Sequence, residues 1–334
     1  MGTFDPTAIA HSETLSPQCD LCHVRRRLIA IGVAVFVWDI DPNFFHLPEF
    51  LGGRGIRYYG VLYAITLMGG FYIWQWQMRR GSYPQEQIDR YLTICVVAII
   101  GGARLGHCLF YEPERYLADP IRILYFWEGG LASHGATIAL IASLIWYARR
   151  YGMAIREVLD RFAICAAYGA TLVRLGNFMN SEIVGRVSDG PLKVKFPRYE
   201  FLHLGTKPVP CDLPCTEVSS SLCGVINGQC WSYANVAWRH PSQLYEIFLG
   251  LFVLAVLYVL DRKYKESRPL GMLGFTFIAL YFTGRFIVEY FKEFQSLSAD
   301  ASAFTMGQYL SIPFIIIGFV GLYASLKKNE RKPA

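Results

Sequence analysis

Charge is scarce in this chain. Of 334 residues, 17% are Asp, Glu, Lys or Arg, against about 25% in an ordinary soluble domain. Hydrophobic residues make up 53% and the mean hydropathy is positive, so the two soluble domains that the length suggests give way to a polytopic membrane protein. The formal net charge of +6 does not indicate nucleic acid, because the basic residues fall in short loops between apolar runs. No internal repeat or low-complexity tract is present. No secretory leader is expected either. Arg25, Arg26 and Arg27 followed by Leu28 to Trp38 imitate one, but the apolar run is eleven residues long, Asp39 and Asp41 follow it, and no small-x-small cleavage site is present. The run is also short of the roughly 20 residues of a span, and reads as a strand or a short surface-lying segment.

Seven segments reach or approach spanning length: Tyr58–Met78, Tyr91–Tyr111, Leu131–Ala148, Phe162–Phe178, Ser242–Leu260, Gly271–Phe291 and Met306–Leu326. The expected fold is an all-α polytopic membrane protein, with seven transmembrane helices and a small extracytoplasmic head domain. Arg79, Arg80 and Arg90 follow the first span. Arg149, Arg150, Arg156 and Arg161 follow the third, DRKYKESR follows the fifth, and the tail ends KKNERKPA. These are alternate loops, while the opposite loop from Glu112 to Glu128 is acidic. The positive-inside rule then puts the tail in the cytoplasm and the N-terminus outside. The resulting division is an extracytoplasmic N-terminal extension and lead-in over 1–57, four spans over 58–180, the head domain over 181–240, three spans over 241–326 and a cytoplasmic tail over 327–334.

Cys211, Cys215, Cys223 and Cys230 all fall in that head domain. On an oxidising side four cysteines suggest two disulfides with three possible connectivities; four free thiols or a metal site are the alternatives. Cys95, Cys108 and Cys165 lie in spans and read as small packing residues. Cys19-Asp-Leu-Cys22-His23 matches the haem-attachment pattern formally, but no second axial ligand accompanies it. We assign no cofactor and no metal.

Polar clusters collect at the outer ends of the spans, where an ionised side chain costs roughly 3 kcal/mol or more in hydrocarbon and therefore marks a candidate site. They are RYYG from Arg57, WEGGLASHG from Trp127, RLGNFMNSEIVGR from Arg174, RHPSQLYE from Arg239 and YFTGRFIVE from Tyr281. Tyr281, Arg285, Glu289 and Lys292 lie within about 80° of one another on a helix. Arg174, Asn177 and Ser181 likewise share one face, and Gly185 suits a helix stop or a close approach of backbone to a ligand. Two arginines at one surface suit a phosphate, which their planar forks grip bidentately. Blander readings stand beside these. Arg285–Glu289 reads also as a structural i,i+4 pair, Arg174 as a snorkelling side chain, His134 as a core histidine, Tyr58 or Tyr59 as a belt anchor, and Arg104 as the partner of a buried Glu.

Together these stretches resemble the prolipoprotein diacylglyceryl transferase family from about Asp41 to Tyr323. RLGNFMNSEIVGR is similar to the family signature, and GARLG, GGLASHG, RHPSQLYE and YFTGRFIVEYF follow its other motifs in order. The resemblance implies a bacterial inner-membrane enzyme, with its active site on the extracytoplasmic side. It implies transfer of the diacylglyceryl group of phosphatidylglycerol to the lipobox cysteine of a preprolipoprotein, with release of glycerol phosphate. The implied catalytic residues are His134, Arg174, Arg285, Glu182, Glu289 and Tyr281, and Tyr59, Arg104, Asn177, Gly185, His240 and Lys292 are implied to bind substrate. Membrane lipid and the lipobox segment are the implied partners, and nucleic acid is not one. The chain departs from the family in His134-Gly135-Ala136 for the usual HGG, in Lys292 for an Arg, in the Cys-rich insert and in the first forty residues. A transporter or lipid scramblase using the same arginines as an anion site is the competing reading. Polar groups near one surface instead of the midplane, and the missing repeat, count against it.

Overall fold

The computed structural model describes residues 35–46, 48, 55–125, 130, 132–205, 209–210, 223–226, 229–233, 235–293 and 304–328. In chain order the elements are β1 (Val35–Val37), β2 (Asn43–His46), β3 (Gly55–Arg57), α1 (Tyr58–Arg80), α2 (Gln85–Phe110), α3 (Pro113–Ala118), α4 (Ser133–Arg150) and α5 (Ile155–Met179). There follow β4 (Lys193–Lys195), α6 (Pro197–His203), β5 (Val209–Pro210), β6 (Cys223–Ile226), β7 (Gln229–Ser232), β8 (Trp238–Arg239), α7 (Ser242–Tyr264), α8 (Met272–Glu289) and α9 (Met306–Lys328). The seven expected apolar segments thus all fall on long helices. Five of these, α2, α5, α7, α8 and α9, are long and apolar enough to cross a membrane.

The chain divides into two compact units. One holds residues 41–186 and 241–334 and contains all seven long helices. Its central element is α5, which packs on α1, α4, α7 and α8. Small residues on α5 allow this: Ala163 and Ala167 are buried against Val253, Leu257 and Leu273. On another side Trp74 of α1, Tyr91 of α2 and Tyr147 of α4 form an aromatic core, with ring centroids 4.6 Å apart for Trp74–Tyr91 and 4.9 Å for Tyr91–Tyr147. Helices α2 and α4 approach closely through glycine. A Cβ on Gly106 would lie 2.7 Å from the Cα of Gly135, so no larger residue fits without moving a backbone.

The basic loop residues do more than set orientation. Arg161 is fully buried and donates to Glu157 (2.7 Å), to the Gln77 carbonyl (2.6 Å) and to Glu266. Arg80 reaches Asp261 at 2.5 Å. Asp160, on α5, accepts from the N–H groups of Gly271 (2.7 Å) and Gly274 (2.9 Å). It therefore satisfies orphan donors at the start of α8, which has no side-chain cap of its own. This network fastens the ends of α1, α5, α7 and α8 to one another. Breaking one such buried pair from one side typically costs about 3–5 kcal/mol.

The second unit joins residues 187–240 to the strand near residue 40. It corrects the all-α expectation, because a three-stranded sheet β1–β4–β8 and a second sheet β5–β7–β6 lie here. β1 runs parallel to β4, with Phe36 opposite Val194. Val35–Val37, within the Leu28–Trp38 run, is thus a strand, one of the two readings that the run allows. Arg239 donates to Glu200 at 2.7 Å, both buried, and the buried Lys195 ammonium donates to the Tyr233 carbonyl at 2.5 Å. Burial pulls the Lys195 ammonium below its ordinary pKa. Cys211, Cys215 and the Cys19–His23 motif lie outside the described residues. Cys223 opposes Ser232 in the β6–β7 ladder and Cys230 opposes Val225. Cys95, Cys108 and Cys165 are free thiols, and the last two are buried.

Candidate functional site

The helix ends of the larger unit converge on one carboxylate, that of Glu246. It stands in the second turn of α7 and is 2% exposed. Arg174 of α5 approaches it from one side, Nε to Oε2 at 3.1 Å. Lys292, just beyond α8, lies 3.0 Å from Oε1, and Arg285 of α8 lies 3.9 Å from the same oxygen. Glu289 pairs with Lys292 at 3.2 Å. Three cations against two carboxylates leave one net positive charge among side chains that are mostly buried. In such surroundings a fixed cation attracts an anion far more strongly than it does in water.

The three cations are unequally committed. The Lys292 side chain is 4% exposed and held between two carboxylates. Arg174 has its second contact in Asn177 Oδ1 at 3.4 Å, and Tyr281 stands beside it. Arg285 is 27% exposed, and among the described residues its one ion pair is long, so it is the least engaged of the three. The alternative reading of Arg285 and Glu289 as a structural i,i+4 pair finds no such pair among the described residues. Glu289 is drawn to Lys292, and Arg285 reaches across to α7 instead.

The remaining predicted residues surround this centre or stand apart from it. Tyr59, in the first turn of α1, packs on Gly176 and lies near Arg174 and Glu182. Glu182 accepts from Asn180 at 3.2 Å, and its carbonyl accepts from Gln243 at 2.8 Å. The helix stops at Met179, not at Gly185. The chain then turns through Ser181 (φ 55°) and Ile183 (φ 57°). Left-handed backbone at a β-branched residue stores strain of order 1–3 kcal/mol, as segments at functional sites often do. Gly185 bridges the Lys292 backbone, so the close approach expected at this glycine is to another strand of protein. Ser242 fixes the loop further by donating to the Ile183 carbonyl at 2.9 Å.

Arg104 is buried and donates to the carbonyls of Arg122 (2.7 Å), Ile123 (3.0 Å) and Gly130 (3.4 Å), with Tyr116 against its plane. It holds the segment leading into α4. His134 lies in the first turn of α4, exposed, with no hydrogen bond or ion pair among the described residues. His240 belongs to the other compact unit, where burial lowers its pKa and favours the neutral imidazole. Glu246 is the residue that sequence reasoning missed. It closes the RHPSQLYE stretch, and the available signal was a single acid inside an otherwise apolar span.

The family model for prolipoprotein diacylglyceryl transferase matches residues 45–324. The chain belongs to that family. A phosphatidylglycerol–prolipoprotein diacylglyceryl transferase of Tolumonas auensis is 35% identical over 297 residues, covering 88% of this chain and 99% of that protein. Proteins of the same description from Chloroherpeton thalassium and Bacteroides fragilis are each 32% identical, covering 88% of this chain and 95% and 97% of their own lengths. Membership and the five apolar helices mark a multi-pass bacterial membrane protein.

Proposed function

We propose that this chain is a phosphatidylglycerol–prolipoprotein diacylglyceryl transferase acting on the lipobox cysteine of its protein substrate. The observation that carries the reading is the Glu246-centred cluster, with its net positive charge and its half-free Arg285, in a chain of this family. Arg174 and Arg285 hold the phosphodiester of the lipid. Glu246 fixes the two guanidinium groups relative to each other, and Lys292 and Glu289 lock it in turn. Asn177 and Tyr281 orient Arg174, and Tyr59 forms the adjoining wall.

The chemistry needs two things, a thiolate and a stabilised leaving group. A free thiol has a pKa near ~8.5, so a base must take its proton. His134 fills that role best, because it is an imidazole exposed in the first turn of α4. Glu289 and Glu246 are instead engaged with the cations of the cluster. The sulfur forms a bond to the glycerol carbon that carries the phosphate. The carbon–oxygen bond breaks, and its electron pair leaves on glycerol phosphate, whose growing charge Arg174 and Arg285 stabilise. Arg104 acts at a distance by holding the segment ahead of His134.

We place the protein in the inner membrane with seven spans, the cluster on the extracytoplasmic side and the C-terminus in the cytoplasm. The loop charges support that orientation. The test is incubation of the purified protein with phosphatidylglycerol and a lipobox peptide. A peptide gain of one diacylglyceryl unit, abolished by Cys→Ser in the peptide, is expected. Lipid movement without covalent product would favour a transporter instead.

A further inference from the structure

The chain from Ser181 to Arg186 is stitched to three of the segments that carry the charged cluster. The Glu182 N–H donates to the Asn177 carbonyl of α5 at 2.9 Å, and the Asn177 side chain in turn accepts from Arg174. The Arg186 N–H donates to the Phe291 carbonyl at 2.9 Å and its guanidinium to the Lys292 carbonyl at 2.8 Å, both just beyond α8. From α7, Ser242 donates to the Ile183 carbonyl at 2.9 Å and Gln243 to the Glu182 carbonyl at 2.8 Å. The backbone of Glu182 is thus held at its N–H by α5 and at its carbonyl by α7. Ser181 and Ile183 on either side of it have φ of 55° and 57°. Left-handed backbone at such residues persists only where the surroundings over-determine it. The side chain so placed accepts from Asn180 at 3.2 Å, and Glu182 and Arg174 both lie near Tyr59.

We infer that Gln243 is a positioning residue for diacylglyceryl transfer: its amide holds the left-handed turn, and the turn keeps Glu182 in its place near Tyr59. The inference deepens the proposed transferase reading and rests on it. Gln243 is fully buried and stands three residues before Glu246, so the two share one face of α7. They divide the work. Glu246 gathers Arg174 and Lys292, and Gln243 grips the turn. Helix α7 has other anchors, in those ion pairs and in the buried Val253 and Leu257. The Gln243 Oε1 accepts no hydrogen bond among the described residues. A buried oxygen without a donor lowers stability, so packing alone does not account for an amide at this position. Without that amide the Glu182 carbonyl loses its donor from α7, and the turn relaxes toward φ values below zero. The ion pairs of Glu246 do not involve the turn, so substrate binding persists while the chemical step slows.

The experiment measures kcat and KM for transfer from phosphatidylglycerol to a lipobox peptide in mixed micelles, together with amide hydrogen exchange of the same proteins. Gln243→Leu keeps roughly the volume and removes the donor. Its kcat is expected to fall about thirtyfold, with KM for lipid and peptide within about threefold. Amides of the 181–184 turn are expected to exchange about tenfold faster, with those in the middle of α5 unchanged. Adding Ser181→Gly to Gln243→Leu supplies a residue that takes positive φ without strain, and is expected to bring kcat back to within about fivefold of the unaltered protein. A merely structural contribution of Gln243 to helix packing would not be repaired in that way. An unchanged kcat, a loss confined to KM, no recovery with Ser181→Gly, or unchanged exchange in the turn would each overturn the inference. Failure of the unaltered protein to modify the peptide would instead sink the transferase reading, while the exchange data would still report whether Gln243 holds the turn.

Discussion

The ammonium of Lys292 lies 3.0 Å from the carboxylate of Glu246 and 3.2 Å from that of Glu289. A residue that the sequence offers as a phosphate ligand is thereby already neutralised on two sides. Its role becomes one of holding α7 and the end of α8 in register. Lys292→Met should leave the buried Glu289 carboxylate without its ion-pair partner and Glu246 with one cation fewer, and lower stability by about 3–5 kcal/mol. Thermal unfolding in detergent checks this. An unfolding midpoint equal to that of the unaltered protein would show that the pair contributes nothing.

Glu246→Gln keeps the volume but removes the charge that gathers three cations. Arg174 and Arg285 would then repel each other across the site. Transfer to a lipobox peptide should fall roughly 100-fold, about 2.7 kcal/mol in transition-state stabilisation. If the loss lies mainly in kcat, with KM for peptide within a few-fold, Glu246 acts through the phosphate clamp. A variant with ordinary turnover would remove Glu246 from the account.

Gly176 is required for space. A Cβ there would meet the Tyr59 ring at 2.7 Å, between α5 and α1. Gly176→Ala should displace Tyr59 from its place near Arg174, with a drop in transfer out of proportion to any change in unfolding temperature. Parallel assays of the two quantities decide it; a stability loss alone would make the contact merely structural.

At the opposite helix ends, Asp160 accepts two backbone N–H groups from the start of α8 at 2.7 and 2.9 Å. Asp160→Ala should cost about 2–4 kcal/mol, since bonds to a charged acceptor contribute roughly 1.5–3 kcal/mol each and the pair is not additive. Chemical unfolding in micelles measures it, and an unshifted midpoint would contradict the capping role.

The long helices were legible because each is a local pattern of apolar residues, and all seven segments lie on helices. Much of the candidate site was legible for a related reason. Arg174, Arg285 and Glu289 are polar residues where hydrocarbon makes them expensive, so their presence alone signals use. What the sequence could not display was pairing across elements. Glu246 is one acid in the second turn of α7, and nothing local reveals that Arg174 and Lys292 converge on it. Arg80 and Arg161 read as loop charges setting topology, yet each is spent on an acid from another segment, Asp261 and Glu266. The strands of the smaller unit escaped for another reason. They are two to four residues long, too short for alternation to build a signal.

The central claim is that Arg174 and Arg285, set by Glu246, grip the lipid phosphate. Arg285 tests it most directly, because its side chain is the least committed of the three cations. Arg285→Lys retains the charge but loses the planar fork. The measurement is the initial rate of diacylglyceryl transfer from phosphatidylglycerol to a lipobox peptide by this variant. The account predicts a rate at least about 100-fold below that of the unaltered protein; a rate within twofold would contradict it.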